Sequence, residues 1–267
     1  MTERPIGMFD SGFGGLTVAR ATIDLLPAED LVYVGDTGRY PYGPRPLEEV
    51  REFAVEITRL LVERHDVKLV VVACNNASAA ALDLLRFEFD VPVVGVIDPG
   101  VRSLLRATRN GQVGVIATVG TVRSGAYQRA VAVNRAQVEL TCAACPGFVE
   151  FVERGELDSE EVHVLAERLL APVRSAGVDT LLLGCTHYPF LARTIGDVLG
   201  RDVVLVSSAD ETAFEVRALL EETGIGRRSP GKGQHLFVSS GDVGWFRQLG
   251  SRLLGPELDD AEAWEWD

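Results

Sequence analysis

Three features of the chain predict an α/β fold of two similar, pseudo-symmetric domains with mostly parallel sheets and an active site in the cleft between them. Short runs rich in Val, Ile and Leu recur along the 267 residues. They are apolar throughout instead of alternating, as strands covered on both faces are. Longer stretches with helical spacing separate them, which is the βαβ pattern. The third feature is an internal likeness between the two halves.

In chain order the strand-like runs are IGMFD (6–10), LVYVGD (31–36), LVVVAC (69–74), PVVGVI (92–97), VGVIAT (113–118), TLLLGC (180–185), VVLVSS (203–208) and HLFVSS (235–240). Helical spacing is clearest over 47–65 and 159–177. Gly177 is a stop signal for the second of these, and Pro172 inside it predicts a kink. IGMFDSG at 6 aligns with VGVIATV at 113, which sets Asp10 opposite Ala117 and Ser11 opposite Thr118. LVVVACNNAS, whose strand ends at Cys74, matches TLLLGCTHYP, whose strand ends at Cys185. Asp10 to Cys74 spans 64 residues and Ala117 to Cys185 spans 68. Two matches at nearly equal separation favour related domains, with a break near 96–100 where Pro99 and Gly100 interrupt the pattern. Residues 1–97 then form the first domain and 98–208 the second. The segment from about 209 to 267 is assigned to the first, although apolar pattern alone leaves either half open. The closing PELDDAEAWEWD has six acidic residues and no basic ones, and reads as a solvated tail.

A formal net charge of -13 argues against a nucleic-acid partner, which needs clustered Lys and Arg. Arg123, Arg129 and Arg135 read as a solvated helix face. The opening MTERPIGMFDSG enters a strand without the progression of a signal peptide. Apolar runs of about six residues fall far short of the roughly 18 that a membrane span needs. A cytoplasmic protein with no membrane partner is expected, its four cysteines (74, 142, 145 and 185) mostly reduced.

Parallel sheets bind ligands beyond the carboxyl ends of their strands, where helix N-termini offer unpaired N–H groups. Asp10, Ser11, Cys74, Asn75, Asn76, Thr118, Cys185, Thr186 and His187 all fall at such ends. A cysteine is most often a small buried hydrophobe, but one before a helix N-terminus has its thiolate favoured. His187 can adjust protonation nearby, whereas His65, His163 and His235 lack such company. Ser11, Thr118 and Thr186 read equally well as helix caps, and Tyr42 as a turn residue between Pro41 and Pro44.

Other chemistries fit less well. DSGFGGLT (10–17), with Asp36 as ribose ligand, suggests a dinucleotide loop, yet Thr17 replaces the third glycine and Asp10 would face the pyrophosphate. CAAC (142–145) lacks the second pair a zinc site needs and reads as a spare thiol pair, so no metal is expected. Lys68 sits at the wrong end of a strand and Lys232 in a loop, which leaves no lysine for a pyridoxal Schiff base. Two thiols across a cleft suit stereoinversion. One removes a proton from a carbon while the other supplies one to the opposite face, and the roles exchange in reverse.

As a set, IGMFDSGFGGLTV, GDTGRYPYG, VVACNNASAAAL, GVIATVGTVRSGAY and LLLGCTHYPFL resemble the cofactor-independent glutamate racemases, in order and spacing, from residue 6 to about 208. The resemblance implies interconversion of L- and D-glutamate without a cofactor, supplying D-glutamate for bacterial peptidoglycan. It implies that Cys74 takes the proton of D-glutamate and Cys185 that of L-glutamate, assisted by Asp10 and His187 respectively. Substrate contacts carry over to Asp10, Ser11, Tyr42, Gly43, Asn75, Asn76, Thr118, Thr121, Thr186 and His187. The family's first cysteine motif usually reads Cys-Asn-Thr, so Asn76 exchanges a hydroxyl for an amide. A homodimer is the expected assembly. Racemisation of another acidic amino acid such as aspartate, or a regulatory role such as inhibition of DNA gyrase, are the alternatives.

Overall fold

The computed structural model describes residues 2–134, 137–258 and 260–264. Its ten strands are β1 (Ile6–Asp10), β2 (Leu31–Gly35), β3 (Leu69–Val72), β4 (Val93–Gly95), β5 (Gln112–Ala117), β6 (Glu139–Ala144), β7 (Thr180–Gly184), β8 (Val204–Val206), β9 (His235–Ser239) and β10 (Glu262–Ala263). They form two sheets, β10-β9-β2-β1-β3-β4 and β6-β5-β7-β8, with every pairing parallel. The order β2-β1-β3-β4 recurs as β6-β5-β7-β8, so the internal likeness of the sequence is a likeness of topology. Strands β1, β2, β3 and β7 are buried at every residue, which is why their sequences are apolar without alternation.

The helices are α1 (Leu16–Leu25), α2 (Leu47–His65), α3 (Asn75–Glu88), α4 (Ile97–Ala107), α5 (Val119–Arg123), α6 (Ala126–Val133), α7 (Phe148–Arg154), α8 (Glu160–Ser175), α9 (Ala192–Leu199), α10 (Ala209–Thr223) and α11 (Val243–Leu254). The chain leaves the first sheet after β4 and enters α4, which packs against β7 and β8 of the second. It returns through α10, which packs on both α4 and α1, and β9 and β10 then extend the first sheet beyond β2. Ser159 caps α8 by accepting from the Val162 N–H, and the helix carries Pro172 in its last turn, where the missing donor removes a single bond. Among the described residues, no helix is long and apolar enough to cross a membrane.

One expectation is corrected. The acidic C-terminus does not hang free: Glu262 and Ala263 pair with Val238 and Ser239, and Leu258, Ala261 and Trp264 are buried. Trp264 anchors the segment, and its N–H donates to the Ser239 carbonyl. Residues 265–267, like Arg135 of the expected basic face, lie outside the described residues. CAAC, read as a spare thiol pair, straddles the end of β6, with Cys142 in the strand and Cys145 just past it; both are free cysteines. Cys142 packs among Val113 and Val115, and Cys145 among Ile116 and Leu183, so the two thiols serve different faces of the sheet.

Lys68, buried at the start of β3, is ion-paired with Glu29, whose other oxygen accepts from the Arg227 N–H at 2.8 Å. That pairing gives it a structural task at the end of the sheet opposite the thiols. Helix α2 ends at Asp66, which has a left-handed φ of 45°. Glycine reaches that conformation without the clash an L side chain makes, and the exposed Arg4–Asp66 ion pair contributes little. Asp66→Gly is expected to stabilise the protein by about 0.5–1 kcal/mol, read as a raised midpoint in denaturant. An unchanged or lowered midpoint would show that the ion pair outweighs the backbone.

Candidate active site

Parallel pairing with little stagger carries the first and third strands of each half to a common edge. Phe9 lies beside Val72 in one sheet and Ala117 beside Gly184 in the other, so Asp10 emerges next to Cys74 and Thr118 next to Cys185. Between these edges is a cavity of about 120 Å³. Ser11, Cys74, Asn75 and Asn76 line it from the first half, Thr118, Cys185, Thr186 and His187 from the second, and Tyr42 and Gly43 from the loop after β2. Asp10 and Thr121 are fully buried outside the cavity wall, supporting it instead of forming it.

Helix α3 starts immediately after Cys74, so the thiol sits at a helix N-terminus and receives the Ala77 N–H. Its Sγ lies 3.7 Å from Ser11 Oγ. Burial, then the neighbouring Asp10 carboxylate, pushes this thiol well above the ordinary range of cysteine. Asp10 is itself raised by burial, opposed by the Gly15 N–H that donates to Oδ2 at 2.9 Å. Its Oδ1 has no hydrogen-bond partner among the described residues.

Cys185 is followed by a single 3₁₀ turn, Tyr188–Leu191, before α9, so its helix is shorter than that of its counterpart. Burial pushes it up to about 12, moderated by the His187 and Tyr188 N–H groups. His187 Nδ1 stands 3.9 Å from Cys185 Sγ, and burial lowers this imidazole to about 4, so it is neutral in the free protein.

The glycine-rich DSGFGG segment has a purpose other than holding phosphate. A Cβ at Gly14 would come within 2.5 Å of both His187 Nδ1 and Thr186 Oγ1, and one at Gly15 within 2.6 Å of the Asp10 Cβ. Bare backbone at Gly14 lets the first half close on the second, and at Gly15 it lets the loop pack on Asp10, Tyr33 and Ala73 of its own half. Tyr42 donates to Asp36, whose carboxylate is also held by Arg39 Nε at 2.7 Å and Ser240 Oγ at 2.6 Å. The segment after β9 thus braces the Tyr42 wall.

Sequence reasoning missed a group on the far side of His187. Glu153 Oε1 of α7 is 3.8 Å from His187 Nε2, and burial raises this carboxyl to about 7. Phe13 meets the imidazole edge-on at 4.8 Å between ring centroids. Trp245 of α11 packs against both Phe13 and Tyr40. The one signal for Glu153 was its i,i+3 spacing from Glu150, which also lines the cavity, and such pairs ordinarily face water. Among the described residues, no three His, Cys, Asp or Glu side chains converge as metal ligands do.

The chain and its fold have close relatives. Residues 16–216 match the model of the Asp/Glu/Hydantoin racemase family, and the chain belongs to that family. A glutamate racemase of Acidothermus cellulolyticus is 52% identical over 97% of this chain and 98% of its own length. The crystal structure of a Bacillus anthracis glutamate racemase superposes with a TM-score of 0.92 at 40% identity, covering 98% of this chain and 97% of the other. A Francisella tularensis glutamate racemase in complex with D-glutamate gives 0.91 at 31% identity, covering 99% and 98%.

Proposed function

We propose that this protein is a glutamate racemase that inverts Cα by two-base proton transfer between Cys74 and Cys185 without a cofactor. The observation that carries the reading is the pair of buried thiols on equivalent strands, each beside a proton acceptor, on one cavity. Burial holds both as S–H, so a thiolate forms only where a neighbour takes the proton. His187 Nδ1 does this for Cys185 and the Asp10 carboxylate for Cys74. From L-glutamate, the Cys185 thiolate removes the Cα proton while Cys74 delivers its own to the opposite face. Cys74 is then the thiolate, ready for the reverse reaction on D-glutamate.

An acidic substrate in an acidic protein needs donors without stray cations. Ser11, Asn75, Asn76, Thr186 and the N-termini of α3 and α5 supply neutral donors, and neither Lys nor Arg is among the residues of the cavity wall. Tyr42 and Gly43 close the cavity from the loop side. The two faces belong to domains 1–97 with 209–267, and 98–208, of a cytoplasmic homodimer that feeds D-glutamate to cell-wall peptidoglycan.

The test is incubation with L-glutamate in deuterium oxide without added cofactor. D-glutamate carrying deuterium at Cα is expected. No inversion, inversion without solvent deuterium, or faster turnover of aspartate each sinks the reading.

A further inference from the structure

The Asn76 carboxamide joins the two halves of the chain, and its contacts show how it is held. Asn76 is the second residue of α3 in the first half, while Thr118 caps α5 in the second and Thr121 lies in the first turn of that helix. Asn76 Oδ1 accepts from Thr118 Oγ1 at 2.9 Å and from Thr121 Oγ1 at 2.6 Å. The shorter contact has an O–H···O length, with the carbonyl end of the carboxamide facing the threonines. Thr121 Oγ1 gives its proton to the carbonyl, and the single Thr118 hydroxyl proton serves either that oxygen or Thr121 Oγ1, 3.1 Å away. Thr118 Oγ1 also accepts the Thr121 N–H, at 3.3 Å, as the cap of α5.

What remains is the amide nitrogen. Asn76 Nδ2 makes no hydrogen bond to the described residues, and Asn76 lines the cavity next to Gly43, where a Cβ would lie 3.8 Å from that nitrogen. The Gly120 N–H donates to the Gly43 carbonyl at 3.3 Å, and a Cβ on Gly120 would sit 3.1 Å from Asn76 Oδ1. The corner is thus closed around the carboxamide from both halves.

We infer that Thr118 and Thr121 do not address the substrate but pin the Asn76 carboxamide across the cleft, leaving Nδ2 as the preoriented donor to a substrate carboxylate. Thr121 is a positioning residue in this arrangement and Asn76 the contact. The inference rests on the glutamate reading for its ligand, though not for its geometry.

Two measurements test it. In the free protein, the Asn76 side-chain amide signals in a ¹⁵N–¹H spectrum are expected to shift in Thr121→Val and to return in Thr121→Ser; signals indifferent to Thr121→Val overturn the pin. In L-glutamate kinetics, Asn76→Ala is expected to raise KM by about tenfold, and Thr121→Val by about fivefold with kcat within about twofold. In the Asn76→Ala background, Thr121→Val should change KM by less than about twofold, because nothing is left to position. An equal KM effect of Thr121→Val in both backgrounds assigns the substrate contact to Thr121 itself and overturns the inference. So does an Asn76→Ala enzyme with unchanged or lowered KM. A wild-type protein inert toward glutamate but showing the amide shifts would refute the substrate reading and leave the pin standing.

Discussion

Cys74→Ala and Cys185→Ala are each expected to lower racemisation of either glutamate enantiomer by at least about a thousandfold, since a positioned acid or base contributes about 10²–10⁴ and inversion needs both at once. Residual exchange should differ between them. Cys74→Ala keeps Cys185, which in the proposed mechanism addresses L-glutamate, so any remaining Cα deuterium exchange should favour the L enantiomer; Cys185→Ala should favour the D enantiomer. The double variant should be scarcely slower than either single one, because two groups of one proton-transfer unit do not contribute additively. Cys142→Ala, whose thiol packs against Val113 and Val115 away from the cavity, serves as the control and should retain turnover. Circular dichroism at fixed wavelength gives the inversion rate, and proton NMR in deuterium oxide gives the exchange. Wild-type turnover in either single variant would remove the two-thiol mechanism, and reversed enantiomer preferences would exchange the roles of the thiols.

That two thiols form one site is legible in the sequence because each ends a fully buried parallel strand, and such strands announce themselves as unbroken apolar runs. The strand β6 does not. Its residues Glu139 to Ala144 are largely half-buried, and Thr, Cys and Ala give no run to recognise. The internal repeat was the available signal: β2 pairs with β1 in the first sheet, so the second needed a strand beside β5. The C-terminus misleads for another reason. One buried Trp264 and a two-residue strand fasten a segment whose charge reads as solvated, and backbone pairing leaves no mark in composition. Thr118 and Thr121 are visible as polar residues at a helix start, but whether a hydroxyl faces a ligand or a neighbouring amide is decided by Asn76, from the other half of the chain. Glu153 is the extreme case. Its spacing is that of a surface helix, and only the placement of α7 against His187 takes it partly out of water.

Glu153→Gln is therefore expected to separate stability from activity. In the folded protein this carboxyl titrates near 7 instead of its ordinary 4.5, because burial penalises the charge. Between those two values the folded state retains a proton that the unfolded chain has lost, so this group makes wild-type stability fall as pH rises from about 4.5 to about 7. Glutamine carries no such penalty. Relative to wild type, the variant should gain stability between pH 5 and pH 8, by up to ~3 kcal/mol at about 1.4 kcal/mol for each tenfold step in proton affinity. His187 acts in the opposite sense: its folded value near 4 lies below the ordinary 6.5, so it makes stability rise with pH across that interval. To the extent that its value is unchanged in both proteins, it cancels from the difference. The catalytic consequence runs the other way. When His187 takes the Cys185 proton at Nδ1 it becomes an imidazolium whose Nε2–H faces Glu153, and only an ionised carboxylate balances that charge. The neutral amide should lower kcat by about tenfold to a hundredfold and flatten the rise of kcat/KM through pH 7. Denaturant unfolding at pH 5 and pH 8, with a pH profile of turnover, measures both effects. A stability difference that is the same at the two pH values, together with an unchanged profile, would show that Glu153 neither titrates in this range nor supports His187.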